Sequence, residues 1–436
     1  ILKACGGIGC VAKGKQIHDE IVDRGLLEGD VMLGSALVDM YAKCGAIEKA
    51  QSVHDALQAH NVVSWSALIS GYVEKDRNHE ALKCFESMRE EGICPSAVTF
   101  ICTLKACASI RDIHKGYQIH DEIVNRGEDV EKDVLLGTAL VNMYAKCGVL
   151  TKAHQVLNRL PTRNITSWNA LIGGYTQQGK ALEALDCFEK LQNEGLSPDS
   201  VTFTCILKAS GSTGSINLGK QIHNEVLNRN LLDNDDVLGT ALVYMYAQCG
   251  FLAKAREVLE ELPSRSVASW SALITGYAQQ GQVYEALNCF ECMQSEGLLP
   301  NVVTFVCVMN ACSHSGLLDE AQVHFHNMNK HYGLTQTMEH HACMVVVFGY
   351  AGHFNKAMSV IKTMPSSKYP TLWLALLTAC RKWENVKVGR LAFDRAVELD
   401  NKCAGAYTLM ANIYAAAGMQ ADAEKVGTMR LKSAAL

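Results

Sequence analysis

The chain has 436 residues, 48% of them hydrophobic and 19% charged, so it can bury a large core and is not a disordered polyelectrolyte. No run of about 20 uninterrupted apolar residues occurs, which argues against a helical membrane span. The formal net charge of −5 argues against indiscriminate nucleic-acid binding, which rests on phosphate neutralisation, but leaves room for a local basic groove.

The chain opens on Ile1 rather than Met, with no cationic leader, which predicts a piece of a longer protein. Residues 16–25, QIHDEIVDRG, hold an H-x-E triplet, His18 to Glu20, and far downstream Cys289 and Cys292 form a C-x-x-C. Zinc nucleobase deaminases use such letters: a His and two Cys hold the metal, and the Glu moves protons. The triplet recurs, however, as His120/Glu122 and His223/Glu225. A catalytic centre is needed once, so a feature copied with a repeat belongs to the packing of that repeat. Cys289 likewise has counterparts in Cys84 and Cys187, where no second Cys follows, and no Pro precedes Cys289. No catalytic residue, metal site or cofactor is expected within the chain. Most of the 18 cysteines recur at fixed intervals (Cys44, Cys147 and Cys249, for example), as small buried hydrophobes do.

Internal repetition organises the rest. Trp65, Trp168 and Trp270 stand 103 and 102 residues apart, within VVSWSALISGY, ITSWNALIGGY and VASWSALITGY. YAKCG (41–45), YAKCG (144–148) and YAQCG (246–250) keep the same offsets. Each period divides into units of about 35, 36 and 31 residues. Residues 1–30 are the rear of one unit and 31–61 is a complete short one. Then follow 62–96, 97–133, 134–164, 165–199, 200–235, 236–266, 267–301 and 302–337. Each unit reads as two helices. In 165–199, Trp168, Leu171, Ile172 and Tyr175 have helical spacing, Gly179 interrupts, and Ala184, Phe188 and Leu191 line a second helix. Gly195 and Pro198 end it. A lone helical pair cannot bury its apolar face, so neighbours must stack. The expected fold is all-α: a right-handed α-solenoid, or superhelix, of helix-turn-helix repeats.

The motifs SWNALIGGY, LVDMYAKCG and LKAC…GKQIH resemble pentatricopeptide repeats of the plant PLS type, over essentially the whole chain. On this match 62–96, 165–199 and 267–301 are P-type. Units 1–30 (partial), 97–133, 200–235 and 302–337 are L-type, and 31–61, 134–164, 236–266 and 338–369 are S-type. Residues 370–403 and 404–436 resemble the two extension, or E, motifs. The resemblance implies a binder of single-stranded RNA in plant organelles, the mitochondrion slightly favoured over the chloroplast. It implies one repeat per base and the choice of cytidines for C-to-U editing. Residues 338–436 would meet a cytidine deaminase domain or editing-complex proteins, and the free chain would be a monomer. Transcript stabilisation without editing, and a protein-binding helical scaffold, are the alternatives.

The family's rule pairs the fifth residue of a unit with its last. Ser or Thr with Asn favours A, Ser or Thr with Asp favours G, and Asn with Asp favours U. Carried over, Ser35/Asn61, Thr138/Asn164 and Ser271/Asn301 imply A, and Thr240/Ser266 implies A more weakly. Ser66/Ser96 implies a purine, Asn169/Asp199 implies U and Thr204/Asp235 implies G. Ile101 (with Asp133) and Val306 (with Thr337) have no hydrogen-bonding group, and Ala342 (with Tyr369) departs from the polar residue a reader needs. With RNA running 5′ to 3′ along the chain, the implied target is A-R-n-A-U-g-A-A-n-n. Read singly, each of these polar residues is a helix cap or a solvated residue. The three tryptophans, by their apolar spacing, are core residues rather than base-stacking platforms.

Overall fold

The computed structural model describes residues 1–27, 30–126, 133–233, 235–364, 369–401 and 403–434. The expected ends of 97–133 and 338–369 run through 127–132 and 365–368, which lie outside the described residues. Among the described residues there are 26 α-helices, from Leu2–Ile8 to Gln420–Ala434, and no strand. They form two compact bodies, Ile1–Ala209 and Ser210–Leu436. Within each, helices alternate between a leading member, which packs beside the next leading helix, and a trailing member, which packs back on its own leader.

Residues 164–199 show why the chain folds this way. Asn164 is in the extended region and accepts the backbone N–H of Ser167 (2.8 Å), while Ser167 accepts the N–H of Asn164 (3.2 Å). This reciprocal cap satisfies donors that helix Ile165–Gln177 leaves unpaired. The turn to helix Ala181–Asn193 passes through Gly179 at φ +70°, a backbone conformation that a Cβ disfavours. Trp168, Leu171, Ile172, Ala184, Phe188 and Leu191 are all buried.

The tryptophans are core residues with one polar tie each. Trp65, Trp168 and Trp270 are buried, and their indole Nε1–H groups donate to Glu91 (3.1 Å), Glu194 (2.9 Å) and Glu296 (2.9 Å). Each of these carboxylates also meets a base near the end of the preceding unit: His60, Arg163 and Arg265 respectively. A buried N–H must find an acceptor, and here that acceptor ties successive repeats together.

The H-x-E letters have an equally local explanation. His18, His120 and His223 share hydrogen bonds with the hydroxyls of Tyr41 (3.0 Å), Tyr144 (2.7 Å) and Tyr246 (3.0 Å) in the following leading helix. Burial lowers the pKa of all three imidazoles. Glu20, Glu122 and Glu225 pair with Arg24, Arg126 and Arg229 one turn on. Cys289 is buried and its thiol is pushed up to about 12 by burial, which opposes the thiolate a metal needs. Among the described residues no group of three or more His, Cys, Asp or Glu side chains is arranged to hold a metal ion.

Candidate nucleic-acid interface

The last residue of a unit proves to be the N-cap of the next leading helix. Asn61, Ser96, Asn164, Ser266 and Asn301 all cap in this way, each in a reciprocal box with the third residue of the helix it starts. Asp199 does the same with Thr202. Asp133 and Asp235 cap without the reciprocal bond, accepting two backbone N–H groups each. The capping and base-reading interpretations of these residues are therefore compatible. Capping by Asn or Asp uses one side-chain oxygen and leaves the other end of the group available; at Ser96 and Ser266 the single hydroxyl is itself the cap.

The fifth residue lies one turn into its leading helix, beside the next helix's cap. Ser35 Oγ is 3.1 Å from Asn61 Oδ1 and gives its proton to the nearer Val31 carbonyl at 2.7 Å, and the Thr240 and Ser266 hydroxyls are 3.4 Å apart. Asn169 Nδ2 donates to both carboxylate oxygens of Asp199, at 2.9 and 3.1 Å. Ser66 meets Ser96, and Ser271 meets Asn301, through the hydroxyls of Thr99 and Thr304. Thr138 turns its hydroxyl to the carbonyl of Val134 (2.7 Å) beside the Asn164 cap. Thr204 is buried in the first body, and Asp235 caps helix Asp236–Gln248 in the second. Tyr369 precedes helix Pro370–Lys382 without a side-chain cap bond, and Ala342 offers no polar atom.

In the first body Ile101, Thr138, Asn169 and Asp199 open onto a groove of about 600 Å³. Its floor is one face of two leading helices: Thr138, Asn142 and Lys146 from one, and Asn169, Gly173 and Gln177 from the next. The four-residue spacing places each trio on one helix face. Lys105 and Lys146 line the groove, and among the described residues neither is in an ion pair. Lys43, the counterpart of Lys146, pairs with Asp39 at 2.8 Å; residue 142, in the place of Asp39, is Asn.

The second residue of each unit was missed by the sequence reading. Leu135 (68% exposed) and Val201 (56% exposed) line the groove's rim. Met32, Val63, Val98, Val237 and Val303 are exposed at the same place in their units. The signal was present as an aliphatic residue at a fixed position. Helical periodicity alone assigns such residues to a core.

Residues 60–109, 163–211 and 265–314 match the PPR repeat family, residues 35–62, 240–267 and 303–332 match the PPR repeat, and residues 383–435 match the E motif. The chain is 36% identical over 418 residues to a mitochondrial pentatricopeptide repeat-containing protein of Arabidopsis thaliana, covering 96% of this chain and 74% of that one. It is 36% identical over 431 residues to a chloroplastic one from the same plant, covering 99% of this chain but only 52% of the relative. Among solved structures it resembles the pentatricopeptide repeat protein PPR10 in complex with an 18-nt psaJ RNA element. The TM-score is 0.67 at 17% identity, over 93% of this chain and 61% of that one, and the shared feature is the α-solenoid fold.

Proposed function

The chain belongs to the pentatricopeptide repeat family, and from that premise we propose that it binds single-stranded RNA sequence-specifically, one repeat to one base. It does so as the specificity portion of an organellar C-to-U editing factor. The observation that carries this reading is the recurring polar pair of fifth residue and helix cap, set beside an exposed aliphatic second residue. Only unpaired bases expose the edges and faces that such a site could read.

The cap geometry gives the pairing rule a physical basis. Asn61 Oδ1 is already taken by the Val63 and Ser64 N–H groups, so its remaining group is an Nδ2 donor. A donor suits the unprotonated ring nitrogen of A. Asp199 offers carboxylate oxygen instead, an acceptor for the ring N–H of G or U. Asn169 adds an amide donor for a uracil carbonyl, so unit 165–199 reads U.

Asn169→Ser should move the preference at that nucleotide from U towards G, by a few-fold, with neighbouring preferences kept. The shift is small because one net hydrogen bond is worth about 1 kcal/mol. Binding of two RNAs differing only at that nucleotide, at one salt concentration, measures it. Equal loss for both RNAs would make Asn169 a structural residue and the assignment wrong.

Lys146 supplies positive charge where unit 31–61 has an ion pair. Lys146→Gln should weaken every RNA alike and reduce the slope of log affinity against log salt by about 0.7, the release expected for one single-strand phosphate contact. An unchanged slope would remove Lys146 from the interface.

The relatives named as mitochondrial and chloroplastic support an organellar address for the parent protein. The E-motif match over 383–435 supports the PLS class and the use of residues 338–436 to meet a cytidine deaminase, either joined to the parent chain or supplied by another protein.

A further inference from the structure

Three buried threonines occupy equivalent positions outside the two-residue rule. Thr99, Thr202 and Thr304 are each the third residue of the leading helix that follows unit 62–96, 165–199 or 267–301. All three are fully buried. Each hydroxyl touches both members of the polar pair before it. Thr99 Oγ1 is 2.7 Å from Ser66 Oγ and 2.9 Å from Ser96 Oγ. Thr202 Oγ1 is 2.6 Å from Asn169 Oδ1 and 2.9 Å from Asp199 Oδ1. Thr304 Oγ1 is 3.0 Å from Ser271 Oγ and 3.1 Å from Asn301 Oδ1.

The junctions that follow units 31–61, 134–164 and 236–266 are built differently. There the third residue is Ser64, Ser167 or Ser269, and its hydroxyl donates to the cap residue's own carbonyl at 3.0, 2.8 and 2.8 Å. The fifth residue's hydroxyl then turns to its own helix, as Ser35 does to Val31 and Thr138 to Val134, both at 2.7 Å, with Ser35 also 3.1 Å from the cap oxygen. Bridging through the third residue is thus particular to the three junctions that carry threonine.

We propose that Thr202, with Thr99 and Thr304 in their own units, is a positioning residue that sets base specificity by locking the orientation of the reading pair. This rests on the base-reading function of unit 165–199. A hydroxyl has one proton to give. Thr202 accepts the backbone N–H of Asp199 at 3.2 Å and gives its own proton to Asn169 Oδ1, the nearer acceptor. On the other side Asn169 Nδ2 faces the Asp199 carboxylate. Flipping the amide would set its oxygen against that carboxylate at about 3 Å and would take from the Thr202 proton its nearer acceptor, leaving it Asp199 Oδ1 at 2.9 Å. Threonine and aspartate therefore hold the amide one way round. The forked contact uses one Nδ2–H and leaves the other, and Asp199 Oδ2, which receives only the longer arm of that contact, keeps a lone pair: a donor beside an acceptor. Uracil presents the complementary carbonyl and ring N–H. Without the hydroxyl the carboxylate alone holds the amide, and the orientation of the donor and acceptor is less firmly set.

The test uses the whole 436-residue chain and four RNAs that differ only in the base facing unit 165–199. Wild type should prefer U by about tenfold, as expected for one or two well-made hydrogen bonds. Thr202→Val should flatten that preference to about threefold or less, while preferences at the flanking nucleotides stay. Thr202→Ser keeps the hydroxyl and should keep the preference. If Thr202→Val does not fold, as judged by circular dichroism, Thr202→Ala removes the same hydroxyl and is held to the same criterion. Equal weakening for all four bases, with the preference intact, would make Thr202 a helix-cap residue only and overturn the proposal. So would Thr202→Ser behaving like Thr202→Val. A wild type with no preference at that base, also unmoved by Asn169→Ser, would instead show that the unit does not read a base, and the proposal would fall with that reading.

Discussion

Gly174→Leu should lower the stability of the first body by about 3 kcal/mol or more, whereas Gly173→Ala, one residue earlier, should leave it unchanged or raise it by about 0.5–1 kcal/mol. The two glycines share a helix but not an environment. A Cβ on Gly174 would stand 2.9 Å from Ala145 Cβ and 3.3 Å from Ala145 Cα, in the neighbouring leading helix, and 2.8 Å from Leu150 Cδ2. The leucine tip can rotate away; the alanine has no rotamer to change, so helix Ile165–Gln177 must move off its neighbour. A Cβ on Gly173 would meet only Cys205 Sγ at 3.8 Å. The repeats carry the same contrast. Gly71 and Gly276 hold the place of Gly174 and press on Ala42 and Ala247, while Ser70 and Thr275 hold the place of Gly173. Stability in a solenoid is a sum of unit and interface terms, so the loss should concentrate where 134–164 meets 165–199. Urea unfolding followed by circular dichroism, with hydrogen exchange to locate the loss, measures it. Coincident unfolding of both variants and wild type would contradict the close-approach argument.

The repeat and its helical pairs were legible because packing reuses the same residues every third unit. Trp65, Trp168 and Trp270 announce the period, and their burial follows from it. The recurrence of the H-x-E letters was legible, although their partners were not. Tyr41, Tyr144 and Tyr246 lie 23 or 24 residues beyond the histidines, and only the stacking of the next helix brings them near. The same limit hid Thr202. Along the chain it reads as a helix residue after an Asp cap, and its contact with Asn169 spans 33 positions. The exposed second residues were hidden for the opposite reason. An aliphatic side chain in a helix looks the same whether the neighbouring repeat covers it, as for Leu136, or leaves it open, as for Leu135.

His54→Leu should remove an acid-labile point from the stack. His54 is fully buried, stacked on His60 with ring centroids 4.1 Å apart and set edge-on to Trp65 at 4.2 Å. Neither of its ring nitrogens has a hydrogen-bond partner. Burial, reinforced by the neighbouring His60 and only partly opposed by Asp55 and Glu91, lowers its pKa from 6.5 to about 4. The unfolded chain therefore takes up a proton on this residue at a pH where the folded chain does not. Its effect is absent above pH 6.5, and stability is lost progressively as pH falls from 6.5 to about 4. The full loss from this one group is about 3 kcal/mol. The repeat itself supplies the remedy, since Leu157 and Leu259 fill the equivalent position in 134–164 and 236–266, both fully buried. At pH 7.5 the variant should be as stable as wild type or about 1 kcal/mol more so, because two unpaired polar atoms leave the core. At pH 5 the gap should widen by about 2 kcal/mol. Other histidines with lowered pKa, among them His120 and His223, keep some acid sensitivity in the variant, so its profile should be shallower rather than flat. Urea midpoints measured from pH 7.5 to 5 decide the matter, and parallel profiles would mean that His54 is solvated or already charged in the fold. The position bears on recognition as well. His60, Trp65 and Glu91 form the tie that seats helix Val62–Glu74, which begins at the Asn61 cap and carries Ser66. Charging the ring beneath that tie would therefore disturb the polar pairs of 31–61 and 62–96 first, and under the proposed function base preference there should fade with acid before it fades at unit 165–199.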